Sequence, residues 1–262
     1  MAEGSTPRRL PSADPGTGSG GRPLRRLAAG LLAELEGLAS LLPATRCNLS
    51  AAAVRGWPAY PGEECPVCGA FAGSGRIAGP LLSCASCETL PSFDFARSLF
   101  AYEGSVREGI RAAKYARQAI PAEVLAERLL DALRGKWGDR FPAGFRPAIV
   151  PVPIRPLKYF QRGFNLPALV GRSLSRLAGW PFSPLLLRRT GGNRPQAGMR
   201  QTEREKNVRG AFVVPPGRRS PPEILLVDDV YTSGATARAC SRALKTGGAG
   251  HIVVLTVART VL

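Results

Sequence analysis

Leu24, Leu27, Leu31, Leu35, Leu38 and Leu42 recur at spacings of 3, 4, 4, 3 and 4, the single stripe of an amphipathic helix over residues 23–43 that Pro43 stops. Residues 1–22 ahead of it are rich in Gly, Ser, Pro and Thr without apolar period, which predicts a disordered tail. Residues 44–92 carry Gly, Pro and most of the cysteines, the composition of a small metal-stapled module. From residue 93 short apolar runs alternate with helical periodicity. Ser98–Tyr102 reads as a strand, Val106–Tyr115 and Ala122–Arg134 as helices, and Ala148–Val152 as a short buried strand. Ala168–Leu177 reads as a helix, Glu223–Val227 as a strand ending in a turn, Ala235–Leu244 as a helix and His251–Val257 as a closing strand. Strands without polar alternation, separated by helices, predict an α/β domain over 93–262: a parallel sheet covered by helices on both faces.

Size and composition agree with that picture. The 262 residues leave room for one α/β domain and a smaller module, and 44% hydrophobic residues suffice for a packed core. No apolar run reaches the roughly 18 residues of a membrane span. Arg25 and Arg26 precede the leucine-rich stretch, but Glu34 and Glu36 interrupt it, so a cytoplasmic protein is expected rather than an exported one. Charge adds information because it is uneven. The net charge is +17, and residues 151–219 hold twelve Arg and two Lys against only Glu203 and Glu205. Such concentration points to an anionic partner, a phosphorylated small molecule or a nucleic acid.

The chemistry is most concentrated in Val227-Asp228-Asp229-Val230-Tyr231-Thr232-Ser233-Gly234-Ala235-Thr236. In an open parallel sheet, ligands sit beyond the carboxyl ends of the strands. A turn of Thr232, Ser233, Gly234, Ala235 and Thr236 opening a helix offers backbone N–H groups, hydroxyls and the positive end of a dipole to a phosphate. Two adjacent carboxylates would repel that phosphate, but they suit sugar hydroxyls. Asp228 and Asp229 are therefore read as holding a ribose 2′- and 3′-OH while the loop holds the 5′-phosphate. The bland alternative is an Asp-Asp turn whose Ser and Thr cap the helix. No Walker motif occurs.

Cys65-x-x-Cys68 and Cys84-x-x-Cys87, fifteen residues apart, fit a structural zinc site of four thiolates. Disulfides are the competitor, disfavoured in the cytosol. Cys47 has no partner two residues on and reads as a free buried thiol rather than a fifth neighbour of the metal, Cys240 as core, and His251 as structural.

Taken in order, these motifs resemble the ComF family of the type I phosphoribosyltransferase superfamily. The resemblance is carried by the cysteine module, Tyr102-Glu103-Gly104, Lys114-Tyr115, Pro151-Val152-Pro153, Arg162-Gly163-Phe164-Asn165, Gln196, Arg204, Asn207-Val208-Arg209-Gly210-Ala211-Phe212 and the acidic loop. It implies a site for phosphoribosyl diphosphate (PRPP) with Mg²⁺, in which the residues from Pro151 to Arg155 grip the diphosphate, with charge from Arg155 and Lys158. It also implies a mobile loop within 188–210 that brings Arg194, Gln196, Arg200, Arg204, Lys206 and Arg209 over the leaving group, Arg204 acting with Asp228 and Asp229 in catalysis. Arg162–Asn165 is left between a structural turn and a ligand contact. Three functions stay open. The first is a transferase displacing pyrophosphate with a nitrogen nucleophile. The second is a protein handling single-stranded DNA with the DNA-uptake machinery. The third is a PRPP-binding regulator without turnover. Aromatic residues are only 7% and do not interleave with the basic ones along the chain, which counts against stacking platforms for nucleic acid.

Overall fold

The computed structural model describes residues 49–60, 63–71, 92–115, 120–190, 208 and 210–261. The predicted tail, the leucine-striped helix, Cys47, Cys84, Cys87 and the closing loop with Arg204 lie outside the described residues.

Among the described residues six strands and six α-helices follow in chain order. They are α1 (Ala51–Arg55), β1 (Phe95–Ala101), α2 (Gly104–Tyr115), α3 (Ala122–Arg134) and β2 (Ala148–Pro151), then α4 (Pro156–Arg162) and α5 (Leu166–Ala178). The chain continues through β3 (Arg188–Arg189), β4 (Phe212–Val213), β5 (Glu223–Tyr231), α6 (Ala235–Thr246) and β6 (His251–Arg259). β1, β6, β5 and β2 form one sheet in that order, and every pair is parallel. β3 and β4 form a separate antiparallel pair.

The predicted α/β architecture holds, and register explains it. Successive side chains of a strand point to opposite faces, and β5 and β6 divide accordingly. Leu225, Val227, Val253 and Leu255 pack with Leu125 and Leu129 of α3 and Val170 and Leu174 of α5. Ile224, Leu226, Ile252 and Val254 pack on the other face with Cys240 and Leu244 of α6 and with Phe212, Cys65 and Cys68. The uninterrupted apolar runs of β5 and β6 are needed because both faces are covered. The cysteine turn shares a layer with α6, the helix that opens the Gly-rich loop.

Boundaries moved in one informative place. The strand expected over Glu223–Val227 runs on to Tyr231, because β6 is long enough to pair Asp228 with Thr256, Val230 with Ala258 and Tyr231 with Arg259. The acidic pair therefore belongs to the end of a strand and not to a turn. Helix α4 carries no buried residue, and so had no apolar stripe to announce it. Among the described residues no helix is long and apolar enough to cross a membrane.

Candidate functional site at the carboxyl edge of the sheet

Residues from four elements meet at the carboxyl ends of β5 and β2. Asp229 ion-pairs with Lys114 of α2, Nζ to Oδ2, at 2.8 Å. The Asp229 amide donates to Asp228 Oδ1 at 2.8 Å, which fixes the first carboxylate beside the second. Burial and then the adjacent Asp229 charge push the Asp228 carboxyl up to about 7, against the weaker pull of the Asp229 amide, Lys114 and Arg189. Burial disfavours charge on Lys114, but Asp229, then Asp228 and Tyr102, outweigh it and hold its pKa above the ordinary lysine value. The edge is thus a compact assembly of two carboxylates and one ammonium. Lys114 entered the sequence reading only as part of a motif. Its place here was hidden by the 113 residues of chain between it and Asp228.

The loop after β5 turns through Gly234, whose φ of 73° is left-handed. A Cβ at this position would lie 2.9 Å from Arg238 Nη1 and closer still to the Tyr231 hydroxyl, so only glycine fits. Gly234 is the N-cap of α6, and no side chain caps the helix. That removes the alternative in which Ser and Thr of this loop cap α6. Ser233 Oγ is buried with no hydrogen-bond partner. A helix N-terminus without a side-chain cap beside an orphaned hydroxyl offers unsatisfied donors, which suits a phosphate. Ala235 and Thr236 begin the helix, and Thr232 and Ser233 lie between it and β5. Arg238, one turn along, is buried against the loop, a contribution without any signal in the sequence.

The loop after β2 lies on the same edge, since Pro151 pairs with Val227 and the Val152 amide donates to the Val227 carbonyl at 2.8 Å. Arg155 ends it as the N-cap of α4. Burial and then Arg162, Arg155, Arg189 and Lys114 depress the Lys158 pKa, so five cations crowd here. Within Arg162–Asn165, the last residue contacts this loop. Its Nδ2 donates to the buried Val152 carbonyl at 3.1 Å, which makes it a tie for the loop. Arg188–Arg189 and Phe212–Val213 clasp the two ends of the stretch that contains Arg204, reinforced by the Thr190 amide on the Ala211 carbonyl at 2.8 Å.

The cysteine turn is a second candidate site. Cys65 and Cys68 are buried on a tight hairpin and form no disulfide, the turn closed by the Cys65 amide on the Ala70 carbonyl at 2.7 Å and the Gly69 amide on the Cys65 carbonyl at 2.9 Å. Gly69 has φ of 69°, and a Cβ there would meet the Ala96 carbonyl oxygen at 2.5 Å. Two thiols at this spacing on one turn suit half of a tetrahedral zinc site. Among the described residues no third ligand joins them, and Cys84 and Cys87 lie outside that set. Cys240 is core as expected, its thiol pushed up by burial and the Asp228 charge. His251 lies at the opposite edge, 3.5 Å from Asp94.

No family model matches the chain. It is 32% identical over 114 residues to Competence protein F of Haemophilus influenzae, covering 43% of this chain and 50% of that protein. The alignment thus spans half the length of that relative. DNA utilization protein YhgH of Salmonella typhi is 27% identical over 82% of this chain and 90% of its own length. Competence protein ComFC of Streptococcus pneumoniae is 26% identical over 62% of this chain and 67% of its own. An adenine phosphoribosyltransferase structure superposes with a TM-score of 0.32 and 18% identity over 53% of this chain and 80% of that one.

Proposed function

We propose that the chain, similar to competence and DNA-utilization proteins, is a ComF-family protein of the type I phosphoribosyltransferase superfamily, and that the carboxyl edge of its sheet binds PRPP and transfers its phosphoribosyl group. The observation that carries this reading is the uncapped N-terminus of α6 with the partnerless hydroxyl of Ser233, one turn beyond the acidic pair.

Each part of the ligand meets suitable chemistry. The 5′-phosphate takes the amides and hydroxyls of residues 232–236. The ribose hydroxyls donate to Asp228 and Asp229, whose mutual repulsion Lys114 already relieves. The diphosphate lies toward the loop from Pro151 to Arg155, with Arg155 and Lys158 beside it. Mg²⁺ bound with PRPP supplies further charge neutralisation, and Asp228 and Asp229 are the hard oxygen donors at this edge that would hold it.

In the reaction the acceptor nitrogen forms a bond to C1′ as the C1′–O bond to diphosphate breaks. The electron pair leaves with pyrophosphate, and the acceptor proton passes to solvent or to the leaving group. Charge accumulates on the departing oxygens, so crowded cations act where the transition state needs them. Arg204, on the stretch clasped by β3 and β4, would add to them. Titration with PRPP and Mg²⁺, followed by a pyrophosphate-release screen across nucleobases, tests the reading. Release with an acceptor supports transfer. Binding without release supports a PRPP-binding regulator, and absence of binding removes both.

A second reading has its own observation. Tyr115 and Phe160 are 75% and 65% exposed. They stand on α2 and α4, which pack together, and α4 carries Lys158 and Arg162. Lys114-Tyr115 and Lys158-Tyr159-Phe160-Gln161-Arg162 set aromatic beside basic residues already along the chain, and the fold brings the two runs together. A single strand of nucleic acid would stack on the rings while the cations follow its phosphates. This fits relatives named for competence and DNA utilization.

A further inference from the structure

The phosphoribosyl reading leaves the two buried arginines of the sheet without a role. Arg97 on β1 and Arg259 at the end of β6 are each 1% exposed, and both direct guanidinium N–H groups at the cysteine hairpin. Arg97 Nη1 donates to the Cys65 carbonyl at 3.3 Å and Nη2 to the Pro66 carbonyl at 3.1 Å. Arg259 Nη1 donates to the Cys68 carbonyl at 2.6 Å. A buried guanidinium demands such acceptors, and the hairpin supplies them. Arg259 also faces the other way. Its guanidinium carbon lies 4.9 Å from the centroid of Tyr231. The Tyr231 hydroxyl in turn occupies the space a Cβ would fill at Gly234. The Thr260 amide donates to the Tyr231 carbonyl at 3.0 Å, which locks the two strand ends together.

Cysteine hairpin, Arg259, Tyr231 and Gly234 therefore form one contiguous path from the thiols to the phosphate loop. We propose that Arg259 and Tyr231 are positioning residues that tie the shape of the 232–236 loop to the state of the Cys65–Cys68 hairpin, so that metal loading at the cysteines sets how firmly the loop is held for a phosphate. A metal fixes the hairpin and the direction of its carbonyls. Loss of the metal frees the Cys68 carbonyl, and a buried guanidinium that loses its acceptor must move. The Tyr231 ring then loses the cation over its face, and the contact that shapes Gly234 loosens. Dense packing transmits such a shift, because side chains on both sides have nowhere else to go. The inference rests on the PRPP reading only for the identity of the ligand.

Amide hydrogen exchange of the segment 231–238 in the full chain reads the coupling without any ligand. Zinc-loaded protein is compared with protein chelated under reducing conditions, metal analysis confirming removal. Exchange in wild type should accelerate on the order of tenfold on removal, and ribose 5-phosphate affinity should fall with it. In Tyr231→Leu the acceleration should disappear while zinc stoichiometry stays the same. Arg259→Met should behave like Tyr231→Leu, and Arg259→Lys serves if Met fails to fold. An unchanged 231–238 segment in wild type, or full acceleration in Tyr231→Leu, overturns the proposal. Metal analysis that finds no zinc or other metal in freshly reduced protein overturns the proposal equally. A loop that responds in protein unable to bind ribose 5-phosphate leaves the coupling standing and removes the PRPP reading.

Discussion

Asp228 concentrates the conflict between stability and function at the scale of single residues. Its carboxyl is raised from 3.8 to about 7 in the folded chain. Between those values the folded protein keeps a proton that the unfolded chain has released, so stability falls as pH rises through the window. Above pH 7 the cost is complete. Asp228→Asn should therefore raise the melting temperature at pH 8 and change it little near pH 4, which thermal unfolding across pH will show. Affinity for ribose 5-phosphate should rise from pH 6 to 8 in wild type, as the acceptor ionises, and lose that dependence in Asp228→Asn. Asp229 behaves differently because it holds Lys114. Asp229→Ala leaves a largely buried ammonium without its ion pair, so this variant should unfold at lower temperature, unlike a solvent-exposed turn carboxylate. Gly234→Val should weaken inorganic phosphate, ribose 5-phosphate and PRPP alike in parallel titrations, because a side chain there collides with Tyr231 and Arg238.

The elements show which parts of this site were readable from the chain. Asp228, Asp229 and the loop to Thr236 are contiguous, and a buried strand followed by a Gly-Ser-Thr turn and a helix carries its own geometry. Helix α3 was readable to its ends, because a leucine stripe packs against α5 and the sheet. Helix α4 was not, since Leu157 and Phe160 face outward and no apolar period marks it. The extension of β5 through the acidic pair depends on how far β6 continues beside it, a property of the partner strand. Lys114 and Arg259 reach the site from distant segments, so only packing could reveal them, and Arg238, one turn into α6, joins no motif that would mark it. For the cysteine module we expect one zinc per chain, held by Cys65, Cys68, Cys84 and Cys87. Cys65→Ser or Cys87→Ser should lose the metal and destabilise the module, because the ion supplies folding energy there. Cys47→Ser and Cys240→Ser should leave the stoichiometry unchanged in metal analysis of freshly reduced protein.

At the scale of the molecule, the acidic edge proposed for the sugar belongs to a strongly basic chain. A net charge of +17 predicts that single-stranded DNA binds with an affinity that falls steeply with ionic strength, as counterion release requires. Charge reversal at Arg200 and Arg204 should flatten that slope, and Tyr115→Ala with Phe160→Ala should weaken binding without changing it. Fluorescence anisotropy across a salt series separates the two effects. Binding that is absent at low salt removes the nucleic-acid reading and leaves the PRPP site untouched.

The acidic pair carries the central claim, and one titration tests it most directly. Wild type, Asp228→Ala and Asp229→Ala are titrated calorimetrically with PRPP, ribose 5-phosphate and inorganic phosphate in the presence of Mg²⁺. Charge-assisted hydrogen bonds to the sugar contribute on the order of 1.5–3 kcal/mol each, so affinity for both sugar ligands should fall roughly 10- to 100-fold in each variant. Inorganic phosphate should bind as well as before, or better, because a repelling charge has gone. Undiminished PRPP affinity in both variants would contradict the account, since the carboxylates would then belong to the fold and not to the ligand.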